Sequence, residues 1–424
     1  MDDVMAVVGE LASAFAAAGH RLYLVGGVVR DLMLGSLTRH DDIDLTTDAH
    51  PTRIKALMAP LASDVWSQGE RFGTIGARVR GRAVEVTTHR AEAYDPASRK
   101  PVVSFGHSIV EDLSRRDFTI NAMAVSLPDR QLLDPYGGAA DLGARRLRTP
   151  LSPGESFGDD PLRMLRAARF LPRFDLDPEP GLEAAAAELS PRLAIVSVER
   201  VRDELERLLA VALPARGLAF LHRTGLLGRA VPALAALGEA ARAEACELAA
   251  APGPPRVRRA GLLGPLGSEA AGAALAALRY PNAEADATRR LLSAVPAVVG
   301  APGDGSPLDE TVRRVVDRVG LALMDDLEQL AANIAAVSAG AGRGPEPGGS
   351  PFFRRFRELA AEEDLADLAP PVDGRRVMAE LGLPPGPAVG RALSQLRQHR
   401  LAGGPMTAEE ALAFLRAAAA NGDM

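Results

Sequence analysis

Hydrophobic and polar residues follow the period of β-strands in the first third of the chain. Short runs that are apolar, or that alternate between apolar and polar residues, predict four strands, because successive strand side chains point to opposite faces. The predicted strands are 21–25, 42–46, 73–80 and 82–87. Apolar residues at helical spacing predict helices at 4–18, 28–34 and 51–61. The first 150 residues are therefore expected to form a mixed α/β domain.

The rest of the chain has a helical pattern that is rich in Ala, Leu and Arg. Its first predicted helices are 161–170, 181–189, 197–212 and 215–224. Ser197 is expected to be an N-cap without a full capping box, because Arg200 rather than Glu stands three residues later. Gly- and Pro-rich breaks that predict linkers or long surface loops stand at 251–255, 300–307 and 338–351.

Together these patterns predict an α+β fold, in which a head with a small mixed β-sheet precedes a long, all-helical neck, body and tail. The predicted boundaries are 1–150 for the head, 151–225 for the neck, 226–337 for the body, 338–351 for a linker and 352–424 for the tail.

The composition is that of a globular protein, with 47% hydrophobic and 25% charged residues, which argues against disorder. Cys246 is the sole cysteine, and this excludes a disulfide scaffold and a Cys-based metal cluster. The first twenty residues lack the basic start of a signal peptide, and the apolar runs fall short of the roughly 20 residues that cross a bilayer. We expect a soluble cytoplasmic protein with no membrane contact.

The charge balance bears on possible partners. A formal net charge of −6 argues mildly against a nucleic-acid partner, although one basic face is compatible with an acidic remainder. All but two of the 49 Lys and Arg residues are arginine, so nearly every cation is able to make bidentate contacts to phosphate, carboxylate or base edges. Only 4% of residues are aromatic, which disfavours binding of single strands mainly by base stacking.

A carboxylate pair and a glycine turn are the most informative features. Asp42 and Asp44 stand two residues apart on a predicted strand, so their side chains share one face of the sheet. Such a pair suits Mg²⁺, which prefers carboxylates together with substrate phosphates. Gly26 and Gly27 let the backbone approach a phosphate closely, and Arg30 adds a positive charge. Each signal alone is weak, since an Asp-x-Asp pair is commonly a solvated strand edge.

In combination and in order, these motifs resemble the class II tRNA nucleotidyltransferases (CCA-adding enzymes) and their bacterial poly(A) polymerase relatives. The pattern LVGG-x-VRD at 24–31 is followed by D-x-D-L-x-T at 42–47. Further similar motifs are FGTI at 72–75, VEVTTHR at 84–90, DLSRRDFTINAM at 112–123, DPYGGAADL at 134–142, DDPLRMLRAARF at 159–170 and SVER at 197–200. The resemblance thus covers most of residues 20–210.

The resemblance implies a nucleotidyltransferase head and a set of site residues. It makes Asp42 and Asp44 the ligands of Mg²⁺, with an RNA 3′-hydroxyl attacking the α-phosphorus and pyrophosphate leaving. Glu85 is a candidate third acidic group near the metals. The alternative, a solvated strand residue, stays equally open.

The RRD motif offers further candidates. The resemblance places Arg115 and its neighbour Arg116 on triphosphate or ribose with Asp117 beside them, and Asn121 on sugar or phosphate. The alternative is a charged helix turn with its own ion pair. Two adjacent arginines at a helix start oppose the helix dipole, which favours a ligand there.

Asp160, Arg163, Arg166 and Arg169 repeat every three residues and predict one stripe on a helix. The stripe is either a solvated face or a nucleotide-binding one. A carboxylate acceptor at Asp160 beside a guanidinium donor at Arg163 suits cytosine and adenine and opposes guanine and uracil. By resemblance this pair selects the base without a nucleic-acid template, and Arg166 assists.

The expected function is addition of CCA to the 3′ end of tRNA from CTP and ATP. The alternatives are a CC-adding, A-adding or poly(A)-adding relative and an inactive RNA-binding protein. CC-adding members of the family that the chain resembles typically lack a flexible loop in the interval 91–114, which is full length here, so the resemblance implies complete CCA addition. Poly(A) polymerases of this family usually carry an extended basic C-terminal segment, and the final residues here have none, so the resemblance favours tRNA over general RNA.

Similar members of the family carry a His-Asp metal phosphohydrolase domain after the neck, but no His stands between His222 and His399. The body is therefore expected to be a degenerate His-Asp-type domain that serves as a helical spacer without hydrolase activity. The stretch 371–390 resembles the tail of the family, which implies contact with the tRNA elbow. The alternative is a helix–turn–helix packing unit that makes no contact with RNA.

Overall fold

A computed structural model describes residues 2–36, 43–89, 108–300, 308–340 and 350–420. The chain divides into two compact units, residues 1–230 and 231–424. The first unit contains all the strands among the described residues, and the second is built of helices.

A seven-stranded mixed sheet organises the first unit. Its strands are β1 Leu22–Val25, β2 Ile43–Thr47, β3 Asp64–Trp66, β4 Thr74–Val79, β5 Arg82–Thr88, β6 Ala124–Leu127 and β7 Leu132–Leu133. They lie in the order β3-β4-β5-β2-β1-β6-β7, and β2 and β5 are parallel while the other described neighbours are antiparallel. The four strands predicted from the sequence are all present, with bounds that agree within one residue.

The two faces of this sheet have different roles. One face packs on helices α1 Asp2–Ala17, α2 Gly27–Leu34 and α3 Pro51–Met58, and buries the helical-period residues of α1, such as Leu11 and Phe15, against Leu24 and Leu45. The opposite face carries the intervening residues of each strand. There Tyr23 and Val25 pack on the short helix α4 Ile109–Ser114, and the rest of this face is available for a site.

The first unit ends with a mainly helical region that includes the predicted neck. Its elements are α5 Gly138–Gly143, β8 Arg146–Leu147, α6 Pro153–Asp159, α7 Leu162–Arg173, β9 Asp177–Pro178, α8 Leu182–Leu189, α9 Val198–Leu209, α10 Ala215–Arg223 and α11 Leu226–Ala230. Helix α7 packs against α9 and α10. A Cβ at Gly217 would lie 2.1 Å from the carbonyl oxygen of Ala168, so α10 approaches α7 closely because this residue has no side chain. Ser197 occupies the N-cap of α9 as expected, but its side chain makes no capping hydrogen bond.

The second unit contains the remaining helices. They are α12 Pro232–Ala235, α13 Glu239–Ala250, α14 Pro255–Leu263, α15 Ser268–Ala277, α16 Asn282–Val299, α17 Asp309–Val319, α18 Met324–Ser338, α19 Pro351–Glu362, α20 Gly374–Leu381, α21 Pro387–Gly403 and α22 Ala408–Ala420. Short 3₁₀ turns occur in both units at Glu70–Phe72, Thr119–Asn121, Ser190–Ile195, Gly264–Leu266 and Leu321–Leu323. Among the described helices, none combines the length and apolar character that a membrane span requires.

A buried ion triad ties together three helical segments of the second unit. The carboxylate of Glu363, which caps α19, accepts from Arg313 Nε of α17 at 2.5 Å and from Arg400 Nη1 of α21 at 3.0 Å. All three side chains are at most 7% exposed. The carboxylate neutralises two buried guanidinium groups at once, so it stabilises the packing of these segments.

Candidate active site

Two carboxylates lie side by side on neighbouring strands, on the sheet face opposite to helices α1, α2 and α3. Asp44 of β2 and Glu85 of β5 are register partners, and both side chains are exposed. They line a cavity of about 420 Å³, here called the head cleft. The hydroxyls of Thr74 and Thr87, also in the head cleft, lie 2.9 Å apart on the same face. Asp42 lies outside the described residues, so the structure shows the predicted carboxylate pair only at Asp44.

The lining of the head cleft is also rich in arginine. It contains Arg115 and Arg116, which follow α4, and Arg163 and Arg166 of α7. Asp112, Asp117 and Asp160 complete the charged lining. Carboxylates and guanidinium groups that line one cleft suit a ligand that combines a divalent cation with phosphates.

Glycine is required at Gly26, where β1 turns into α2. The residue has φ of +73°, and a Cβ there would lie 2.8 Å from Arg116 Nη1 and 3.9 Å from Asp44 Oδ2. The left-handed backbone favours glycine here, and a side chain would also require the end of Arg116 to move. Gly27, which begins α2, has space limited by Arg30, whose Nη2 lies 3.3 Å from the position of a Cβ. The turn lies directly against two residues of the head cleft, as a phosphate-approaching turn should.

Arg30 is placed differently from the expectation. Its side chain is 5% exposed and does not contribute to the lining of the head cleft. It donates to both carboxylate oxygens of Asp31 at 2.9 Å and to Asn121 Oδ1. Burial lowers the pKa of this guanidinium, and Asp31 opposes that effect. Arg30 was expected to offer a positive charge to phosphate, but its guanidinium is buried and stabilises the glycine turn at Gly26 and Gly27.

The arginine pair lies at a helix end rather than a helix start. Helix α4 ends at Ser114, and Arg115 is its C-cap. The helix dipole favours cations at this end, so the expectation that it opposes Arg115 and Arg116 is wrong. Arg116 forms an ion pair with Asp112 at 3.2 Å, as the alternative interpretation required. Both arginines nevertheless line the head cleft.

Asp117 is a buried carboxylate that accepts hydrogen bonds through one oxygen and forms an ion pair through the other. Its Oδ1 accepts from the Phe118 amide and from Asn121 Nδ2, both at 2.9 Å, and its Oδ2 lies 2.6 Å from Arg166 Nη2. Burial alone would raise the pKa of Asp117, but Arg166, Asn121, Arg163 and the Phe118 amide together lower it below the ordinary value. Attraction by Asp117 in turn raises the pKa of Arg166. Asn121 is buried behind this pair and is outside the lining of the head cleft.

Asp160 and Arg163 both reach the head cleft, but they do not belong to one helical stripe. Asp160 is the C-cap of α6, and α7 begins at Leu162. Its two carboxylate oxygens accept from the Leu162 amide at 3.1 Å and from Arg200 Nη2 at 3.0 Å. Arg163 is 8% exposed, which contradicts a solvated face, and it donates to Ser156 Oγ at 2.9 Å and to the Arg115 carbonyl. Both groups are held in place before any ligand binds.

Arg169 lies away from the other candidates. It is buried and forms an ion pair with Glu204 of α9, which is also buried, at 2.7 Å. The structure does not place it among the residues of the head cleft. Its contacts are those of a residue that joins α7 to α9.

The structure adds site residues that sequence reasoning did not single out. Asp112, Thr74 and Thr87 line the head cleft, and Arg200 and Ser156 orient Asp160 and Arg163. Asp112 opens the motif that contains the arginine pair and stands four residues before Arg116, which was the available signal. The threonines gave no signal, because their position depends on strand pairing.

The fold and this site define a class of protein. A mixed sheet that carries carboxylates on paired strands, with arginines lining the same cleft, is typical of a nucleotidyltransferase head. Consistent with this, residues 22–148 match the family profile described as "Poly A polymerase head domain" and residues 175–237 the one described as "Probable RNA and SrmB- binding site of polymerase A".

Curated relatives narrow the class to a family. The CCA-adding enzyme of Geobacillus stearothermophilus is 33% identical over 383 residues, which are 89% of this chain and 88% of that protein. The CCA-adding enzyme of Bacillus licheniformis is 40% identical over 227 residues, 53% of this chain and 55% of that protein. The chain belongs to the CCA-adding enzyme family.

Solved structures agree with this assignment. The crystal structure of the Bacillus stearothermophilus CCA-adding enzyme in complex with CTP superposes with a TM-score of 0.74 at 29% identity, covering 98% of each chain. The Thermotoga maritima CCA-adding enzyme complexed with tRNA shares the fold, with a TM-score of 0.64 at 21% identity over 96% of this chain and 94% of that one. The predicted family, the mixed-sheet head with a helical remainder and the enzyme class, nucleotidyltransferase, are confirmed.

Proposed function

We propose that this chain completes the 3′ end of tRNA with CCA, using CTP and ATP, releasing pyrophosphate and needing no nucleic-acid template. The observation that carries the proposal is the head cleft, where Asp44, Glu85, Asp160 and Arg163 line one cavity. Support also comes from relatives that bear this activity in their names and from solved relatives that hold CTP or tRNA.

We assign Asp42 and Asp44 as the ligands of Mg²⁺, with Glu85 as a third acidic group. Asp44 is exposed on its strand beside Glu85, and carboxylate oxygens together with phosphates are the donors that Mg²⁺ prefers. When bound, the metal supplies positive charge that activates the attacking 3′-hydroxyl and stabilises the leaving pyrophosphate. The strand pairing would keep the acidic side chains together without help from the ligand.

Base selection follows from the chemistry of Asp160 and Arg163. Arg200 and the Leu162 amide orient the Asp160 carboxylate as an acceptor, while Ser156 and the Arg115 carbonyl orient the Arg163 guanidinium as a donor. Cytosine and adenine each present an amino donor beside a ring-nitrogen acceptor, which complements this pair. Guanine and uracil present the reverse order, so each would set an acceptor against the Asp160 carboxylate and a donor against the Arg163 guanidinium.

The remaining cleft arginines are suited to the triphosphate. Arg115 and Arg116 lie at the head cleft, and Arg116 also lies against the glycine turn at Gly26. Asp117 neutralises Arg166 and holds its side chain at the base-selecting helix α7. We assign Arg115 and Arg116 to phosphate or ribose contacts, and Asp117 with Arg166 to nucleotide positioning.

We assign the helical remainder to tRNA. The tail, residues 352–424, is proposed to contact the tRNA body. The body, residues 226–337, is proposed to be a spacer without hydrolase activity, since no His occurs between His222 and His399 to supply the ligands of a metallohydrolase.

Primer extension tests the proposal. tRNA transcripts that end before position 74, after one C and after CC are incubated with Mg²⁺ and each nucleoside triphosphate alone, and then with CTP and ATP together. Addition of two C residues followed by a single A is the expected result. Stopping at CC would indicate a CC-adding enzyme, long A tails a poly(A) polymerase, and no addition an inactive RNA-binding relative.

A further inference from the structure

Arg30 is the fourth residue of α2, which begins directly after the glycine turn. Its guanidinium group is buried inside the protein. Nε and Nη2 chelate the Asp31 carboxylate, and Nη1 donates to Asn121 Oδ1. Nη2 also lies 3.3 Å from the position that a Cβ of Gly27 would take. The side chain therefore supports the glycine turn from beneath.

A relay of buried polar groups leads from Arg30 to the base-selecting helix. Asn121, whose oxygen accepts from Arg30, donates through Nδ2 to Asp117 Oδ1 at 2.9 Å. Asp117 Oδ2 lies 2.6 Å from Arg166 Nη2, and Arg166 belongs to α7. Asn121 is 6% and Asp117 8% exposed, so solvent cannot readily replace a lost partner, and each member fixes the orientation of the next.

A second route joins Arg30 to the same helix through aromatic rings. Its guanidinium carbon lies 4.2 Å from the ring centre of Phe174 and 5.8 Å from that of Phe170. Phe170 is part of α7, Phe174 is the C-cap of that helix, and Arg166 lies 5.6 Å from the Phe170 ring centre. Cation–π contacts within about 6 Å are attractive. Arg30 therefore contacts α7 in two ways, through the hydrogen-bonded relay and through the rings of Phe170 and Phe174.

We propose that Arg30 is a positioning residue that couples the glycine turn to helix α7 and thereby sets the position of Arg163 for base selection. Arg163 stands one helical turn before Arg166, so a shift of Arg166 moves the donor that distinguishes C and A from U and G. This inference rests on the proposed function, because it takes the selecting role of Asp160 and Arg163 as given.

Arg30→Lys tests the coupling. Lysine keeps the positive charge, but its ammonium group is a single compact donor. It cannot at the same time bind both oxygens of Asp31, donate to Asn121 and stack on an aromatic ring. The ratio of kcat/KM for CTP over that for UTP is expected to fall about tenfold. Inhibition by inorganic tripolyphosphate is expected to change less than this ratio, because Arg30 does not line the head cleft and acts only through the turn that it supports. Asn121→Ser, which interrupts the relay one step further on, should show the same loss of selectivity and carries the test if Arg30→Lys fails to fold.

Arg259→Lys is the matched control. Arg259 is likewise buried, pairs with Glu284 at 2.8 Å and lies 5.1 Å from the ring centre of Tyr280, but it belongs to the second unit. The Arg259→Lys variant should lose thermal stability while keeping CTP-over-UTP selectivity.

A folded Arg30→Lys protein with unchanged selectivity would overturn the coupling. Weaker inhibition by tripolyphosphate with unchanged selectivity would make Arg30 a direct phosphate ligand instead. A wild-type protein that adds no nucleotide would overturn the proposed function itself, which separates the two failures.

Discussion

Asp44 and Glu85 are register partners on β2 and β5, the parallel pair among the described strands of the sheet. Parallel neighbours have side chains at matching positions on the same face, so two carboxylates far apart in sequence point together into the head cleft. This pairing supports a metal-binding role for Glu85 over a solvated strand position.

Glu85→Gln is expected to lower kcat by about 10- to 100-fold and to raise the Mg²⁺ concentration that gives half-maximal activity. The amide keeps the size of the side chain but loses the charge that attracts the cation. Asp44→Asn should abolish nucleotide addition while leaving tRNA binding in place. Steady-state kinetics across a Mg²⁺ titration measures the effect. Asp64→Asn is the control, an exposed carboxylate at the β3 edge of the same sheet. Wild-type kinetics of Glu85→Gln would return this residue to a solvated strand position.

Arg163→Ala is expected to reduce discrimination against UTP and GTP by about 10- to 100-fold, since a hydrogen bond to a charged group contributes about 1.5–3 kcal/mol. Competition between CTP and UTP on one tRNA primer measures the ratio. Ser156→Ala removes only the hydroxyl that orients Arg163 at 2.9 Å, so a smaller loss in the same direction is expected. Unchanged selectivity in Arg163→Ala would exclude the side-chain template.

Glu363→Gln is expected to destabilise the second unit by about 3–5 kcal/mol, because it leaves Arg313 and Arg400 buried without their shared counter-charge. Urea unfolding followed by circular dichroism measures the change. Glu310→Gln breaks an exposed pair with Arg314 on the same helix α17 and should cost under about 1 kcal/mol. Equal effects of the two substitutions would show that the triad has no special role in stability.

Cys246 is expected to resist thiol reagents in the folded protein. Burial, with smaller contributions from Glu247 and Glu239, raises the pKa of its thiol to about 11. At pH 8 the native thiol is therefore almost wholly protonated, whereas in an unfolded chain its pKa falls to about 8.5 and a reactive thiolate forms. Labelling with a disulfide reagent at pH 8, with and without urea, measures the contrast. Fast labelling without urea would contradict the buried placement.

Much of the head could be predicted from local pattern. Short apolar or alternating runs located β1, β2, β4 and β5 within one residue, and apolar residues at helical spacing located α1, because period is a local property of amphipathic elements. Long motifs were informative for the same reason: each occupies one short turn or helix end. Asp160 and Arg163 were singled out in this way and both lie in the head cleft.

Predictions that needed a helix boundary were weaker. The arginine pair follows α4 instead of starting a helix, since Ser114 ends that helix after only six residues. Asp160 caps α6 and so stands outside α7, although the spacing of three predicted a single stripe. Helix ends depend on capping contacts with distant residues, such as the Arg200 side chain on Asp160, and residue spacing does not report those contacts.

The sequence by itself determined four strands of the head sheet, the change to a helical remainder, the family to which the chain belongs and most of the charged residues of the head cleft. Only the tertiary structure decided which of these residues meet. Strand pairing placed Glu85 beside Asp44, burial withdrew Arg30 and Arg169 from the cleft, and side-chain packing joined Arg30 to α7. The physical reason is that residue type and period are local, whereas partner choice depends on which distant surfaces bury each other and on how every buried charge is neutralised.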